Sequence, residues 1–143
     1  MKLKRGNIKM KIEEQVLSIE QMKHLQELGV DTSDASMAYY NISRDNQPDK
    51  WILGIANKEV ATLMLSNSIT EMEPTYTIGD LIEKLPKDVR NYDLEIHCDF
   101  NCLGYAAASD FEHSIEYDRL IDGLYDLLCW VAENHKELLE VKK

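Results

Sequence analysis

Nine consecutive residues, YDLEIHCDF from Tyr92 to Phe100, alternate between apolar and polar without a fault. Tyr92, Leu94, Ile96, Cys98 and Phe100 fall on one side, and Asp93, Glu95, His97 and Asp99 on the other. A period of two belongs to a β-strand, where successive side chains leave opposite faces. One oily face and one wet face require a sheet packed on one side only, the habit of antiparallel sheets. An all-helical fold is therefore excluded. The chain must supply partner strands and an apolar cover. LGYAAAS, beyond a short turn at Asn101, is expected to be the hairpin partner, with small residues where another element packs closely.

The cover is expected from two helices. In SIEQMKHLQELG, Ser18 is placed to cap, and Gln21 three residues on completes a capping box. Leu17 and Met22 can staple the start, and Ile19, Met22, Leu25 and Leu28 form an apolar stripe. Gly29 suits a left-handed stop, with Val30 packing back on the last turn. Near the end, DRLIDGLYDLLCWVAENHKELL reads as a long helix capped by Asp118. Leu120, Leu124, Leu127, Leu128 and Val131 give it a wide apolar face. Gly123 in its middle costs about 1 kcal/mol against alanine, which predicts a close approach by another backbone.

Between the helices, SMAYYNIS and KWILGIAN flank RDNQPD, and this pattern predicts a β-hairpin with Pro48 in its loop. KEVATLMLS fits both periods and is read as a helix. Thr77 with Asp80 opens a short helix, TIGDLIEKL, which Pro86 stops. The expected fold is α+β: an antiparallel sheet of about four strands packed against an N-terminal and a C-terminal helix, with a short middle helix.

A length of 143 residues suits one domain. Residues 1–9 carry Lys2, Lys4, Arg5 and Lys9 and no acid, and Lys4-Arg5-Gly6 is what a translated purine-rich ribosome-binding sequence would encode. They are read as an extension before a native start at Met10, leaving residues 10–143 as a single α+β domain. Without those four charges the net charge moves from −10 to −14. No apolar run approaches the ~18–20 residues that span a bilayer. Three cysteines make no disulfide framework, and free thiols in a reducing cytoplasm are expected. The acid is uneven: residues 93–143 hold 12 Asp/Glu against Arg119, Lys136, Lys142 and Lys143. Such a face repels nucleic acid and anionic membranes and attracts basic proteins.

Three groups of residues invite a chemical reading. IHCDFNC, residues 96–102, puts a histidine, two cysteines and an aspartate close together in sequence. In a strand, His97 and Cys98 point to opposite faces and cannot share a metal, so Cys98 is expected to be a small buried hydrophobe. Glu95, His97 and Asp99 share the polar face and could hold a divalent ion, or could make His97 a general base. A solvated sheet face is the simpler account. Asp118, Asp122 and Asp126 are spaced to form a carboxylate row on the last helix. No P-loop, nucleophile elbow or dinucleotide turn is present, so no cofactor is expected.

VLSIEQMKHLQELGVDTSDASM, TYTIGDLIEKLPK and LIDGLYDLLCWVAEN are similar to segments of short hypothetical proteins encoded by phages and mobile elements of gut bacteria. The resemblance covers most of residues 10–134 and carries over no activity. It implies a cytoplasmic accessory protein of a mobile element. The expected function is that of a small acidic protein-binding factor. Asp118, Asp122, Asp126, Glu133 and Glu137 would face an unidentified basic protein, in the sharper form a nucleic-acid-binding one that it inhibits. The alternative is a divalent-metal-dependent enzyme built on Glu95, His97 and Asp99.

Overall fold

The computed structural model describes residues 11, 14–42, 50–57, 59–60, 69–107 and 110–140. Residues 1–10, the loop with Pro48 and most of the segment read as a helix in KEVATLMLS lie outside these.

Helix α1, Ile19–Glu27, begins and ends as its residues dictate. Ser18 Oγ accepts from Gln21 N–H at 3.1 Å, and Gln21 Oε1 accepts from Ser18 N–H at 3.0 Å. At the other end Gly29 has φ +89°. Its N–H reaches Gln26 O and that of Val30 reaches Leu25 O, the paired bonds of a Schellman stop. Met22 and Leu25 carry the buried face.

Strands β1, Met37–Asn41, and β2, Trp51–Ile55, form the expected hairpin. A strand that the sequence reading did not anticipate, β3, Glu71–Thr75, pairs with the other side of β1. The result is a three-stranded antiparallel sheet in the order β2-β1-β3. Helix α2, Ile78–Lys84, follows with its own capping box between Thr77 and Asp80, and Leu85 turns extended ahead of Pro86. Asp80 also accepts from Ser36 Oγ at 2.7 Å, pinning the start of β1 to the start of α2.

A second antiparallel sheet has the order β4-β5-β6-β7. Its strands are β4, Asp88–Val89, β5, Tyr92–His97, β6, Cys102–Ala107, and β7, Asp110–Glu116. The fold is α+β as expected, but the two expected hairpins do not share one sheet: β1–β2 belongs to the sheet of three and β5–β6 to the sheet of four. Helix α3, Leu120–Asn134, packs across β6, β7 and α2 and meets α1.

The long C-terminal segment departs from expectation at both ends. Asp118 does not cap α3; Arg119 holds the cap position without a side-chain cap bond, and its Nε pairs with Asp122 Oδ2 at 2.7 Å instead. At the far end the helix breaks at His135, φ −142° and ψ 42°, and Lys136–Leu139 continue as a 3₁₀ turn. His135 is buried with its ring edge-on to Trp130, centroids 5.0 Å apart, so packing overrides helical propensity there.

The main core joins Leu17, Met22 and Leu25 to Tyr76 and Leu81, to Leu103 and Tyr105 of β6, and to Leu124, Leu127 and Leu128 of α3. Burying each of these leucines contributes about 2 kcal/mol. Ala38 and Tyr40 seed a smaller cluster on the three-stranded sheet. Among the described residues, no helix is long and apolar enough to cross a membrane.

Candidate functional site

The alternation of residues 92–100 holds only to His97. There β5 leaves the sheet, and Cys98–Asn101 form a four-residue turn in which Asn101 takes φ +49°. Asparagine tolerates that left-handed conformation better than most residues, which fits it for closing the hairpin. The exit point corrects two expectations. Cys98 is exposed instead of buried, and Phe100 is 78% exposed. Both have left the pleated surface on which alternation decides burial.

Asp99 leaves with them. His97 Nε2 lies 2.8 Å from Glu95 Oε1 on the outer face of the sheet, but the third member of the expected cluster sits exposed in the turn. Opposite His97 the register places Cys102, and beyond it Glu116. Among the described residues, no group of three His, Cys, Asp or Glu is arranged to hold a metal ion. The His97 ring instead meets Phe111 edge-on, centroids 6.2 Å apart. Gly104 lies on the same face between them, so no side chain blocks the contact.

The carboxylate row is also broken. Asp118 precedes the helix and is exposed in the connection from β7. Asp122 is held internally by Arg119 and by Gln21 Nε2 at 3.1 Å. Asp126 is exposed, and partial burial together with Asp122 raises its carboxyl above the usual range. Glu133 is exposed near the end of α3, and Glu137 lies on the 3₁₀ turn, 3.9 Å from His135 Nδ1. Four of the five nominated carboxylates thus face water, but on three separate elements.

What the tertiary structure does assemble is a concavity of about 520 Å³, lined by Phe100, Asn101, Glu116, Tyr117 and Asp118. It lies where the β5–β6 turn meets the joint between β7 and α3. Tyr117 N–H donates to Asn101 O at 2.9 Å and fastens the two segments together. The Tyr117 side chain packs inward on the core, and a Cβ at Gly123 would stand 2.8 Å from Tyr117 Cβ and 3.0 Å from Leu103 Cδ2. Gly123 therefore admits neighbouring side chains instead of the backbone the sequence reading expected. Burial, then the neighbouring Cys98 thiol, raises the Tyr117 hydroxyl, which stays protonated as a donor. The walls that remain are one exposed aromatic ring and the carboxylates of Glu116 and Asp118. Of these residues sequence reasoning nominated only Asp118. Asn101 marked the turn, as expected, but alternation carried the strand up to it and sent Phe100 indoors, whereas the turn begins at Cys98.

A second concavity of about 310 Å³ is lined by residues including Asp34, Tyr76, Lys84 and Leu138. Here Lys84 Nζ donates to Asp34 Oδ2 and to Asp31 O, each at 2.9 Å. Tyr76 OH donates to Asp34 Oδ1 at 2.6 Å and lies 2.9 Å from Asp31 O. Burial and Asp34 raise the Tyr76 hydroxyl far above its ordinary value. These groups satisfy one another, which suits a brace holding residues 31–34 against α2 better than a reactive centre.

No known protein family matches the chain, and neither a curated protein nor a solved structure is significantly similar to it.

Proposed function

We propose that the chain is a small acidic protein-binding factor whose contact is the concavity at Phe100, Asn101, Glu116, Tyr117 and Asp118. Its ligand is a lysine or arginine side chain on a basic partner protein. The observation that carries this is Phe100, 78% exposed beside Glu116 and Asp118. A large apolar ring held in water at the rim of an acidic hollow is stabilised when something covers it. A cation over the ring face gains about 0.5–2 kcal/mol, and two carboxylates add charge-assisted hydrogen bonds. The net charge of −10 steers such a partner from a distance, with Asp126, Glu133 and Glu137 contributing to the same field. In the mobile-element setting that the resemblance implies, the partner is a host protein, and a nucleic-acid-binding one would be inhibited by occupation of its basic surface.

The test uses a short Lys/Arg-rich peptide and isothermal calorimetry. Phe100→Ala, and separately Glu116→Gln with Asp118→Asn, should each weaken binding at least tenfold. Raising salt to about 0.5 M, where screening acts within roughly 4 Å, should weaken it markedly. An affinity that salt and both variants leave unchanged rules the reading out.

A further inference from the structure

Sheet edges expose unpaired backbone groups and are normally blunted by charge, proline or cover. Among the described residues four strands lie at edges: β2 and β3 in one sheet, β4 and β7 in the other. Three are guarded. β3 carries Glu71, Glu73 and Pro74, β4 is two residues long and begins with Asp88, and β7 carries Asp110, Glu112 and Glu116. β2 is WILGI, with no charge and no proline.

The hydrogen-bond phase shows which groups β2 leaves outward. Ile42 N–H donates to Lys50 O, and Ala56 N–H to Ser36 O. In an antiparallel ladder bonding alternates, so the even-numbered residues of β2 bond to β1, and Trp51, Leu53 and Ile55 direct their backbone groups away from it. The Tyr40 hydroxyl crosses Gly54, which has no side chain to obstruct it, and takes the Ile55 carbonyl. The same phase gives β3 the outward positions Met72 and Pro74, so the guard proline stands where an outward N–H would be. The side chains of Trp51 and Leu53 are half-buried and that of Ile55 is 53% exposed; neither core cluster contains them.

We propose that the outer edge of β2 pairs antiparallel with β2 of a second copy of this chain. The pairing joins two three-stranded sheets into one sheet of six. Centred on Leu53, it sets Leu53 against its counterpart and Trp51 against Ile55. Tyr40 O–H and Asn57 N–H already take the Ile55 carbonyl, so the new ladder bonds run between the two Leu53 residues and from Ile55 N–H to the Trp51 carbonyl. The register is thus self-complementary, as a two-fold interface requires. Charge singles out the occupant. Two chains of net −10 repel, and self-pairing through β3 or β7 would add facing carboxylates. β2 brings none. A basic partner has no carboxylate on this strand to meet, so this surface is separate from the acidic concavity.

Light scattering after size-exclusion chromatography, over two decades of protein concentration, should give a mass near twice the 16.5 kDa of the chain. Leu53→Lys and Leu53→Pro should each give the single-chain mass with an unchanged far-ultraviolet circular dichroism spectrum. Should the proline variant fail to fold, the lysine variant carries the test. Glu73→Gln on the opposite edge should leave the doubled mass in place. Hydrogen exchange of the wild type should show protected amides at Leu53 and Ile55. A single-chain mass at every concentration overturns the proposal, as does a doubled mass that survives a folded Leu53→Lys.

Discussion

Gly123 shows what one atom decides. In an exposed helix, alanine for glycine would stabilise by about 1 kcal/mol. Here the added Cβ would stand 2.8 Å from Tyr117 Cβ, an atom tied to the backbone and unable to swing away. Overpacking of that kind costs about 1–3 kcal/mol, so Gly123→Ala should lower the melting temperature by a few degrees in a thermal melt. It should also weaken peptide binding, because Tyr117 forms part of the concavity. His113 sets a pH dependence at the same scale. Its ring stacks on Trp130, centroids 4.4 Å apart and nearly parallel, and burial lowers its pKa below the usual 6.5 against a smaller opposing effect of Glu112. The unfolded chain then takes up the proton first as pH falls. His113 therefore favours folding fully above about pH 6.5, and this contribution declines below it. Denaturant melts at about pH 7.5 and about pH 5.5 should show a loss on acidification that is smaller in His113→Phe. An equal loss in the variant assigns the effect to other groups.

At the scale of elements, local chemistry and packing divide the outcome. The start of α1 is a short-range matter: Ser18 and Gln21 bond reciprocally across three residues, and the sequence announces it. Ser18→Ala should cost about 1 kcal/mol, read as a lower denaturation midpoint with an unchanged denaturant slope. The strand β3 was missed, and EMEPT carries little strand signal: three of its residues are Glu71, Glu73 and Pro74, and a proline argues against a central strand. Pro74 is tolerated because it stands on the outward side of an edge. The strand β7 was missed although Ser109 and Asp110 are residue types that favour turns, because only Phe111 and Ile115 of its seven residues are apolar and alternation has little to act on. Asp118 has the chemistry of a helix cap, yet α3 starts later, with Tyr117 packed inward against Gly123.

For the whole molecule, charge is the dominant long-range term. With 26 acids against 16 bases, self-repulsion works against compactness. Raising sodium chloride from about 10 to about 150 mM shortens the screening length from roughly 30 to 8 Å, which should raise the melting temperature. A fall would mean that pairs such as Lys84–Asp34 and Arg119–Asp122 outweigh the repulsion.

The α+β class, the capped helices α1 and α2, the β1–β2 hairpin and the β5–β6 hairpin are legible in the residues alone. Each rests on interactions between neighbours a few positions apart, where caps, turns and alternation act. Tertiary structure alone decided that the strands divide into two sheets and that β5 ends at His97. It likewise decided that Phe100 faces water beside Glu116 and Asp118, and that β2, without charge or proline, lies at a sheet edge among the described residues. Those outcomes depend on which distant segments pair and in what register, and no local pattern encodes the position of a partner that lies far along the chain.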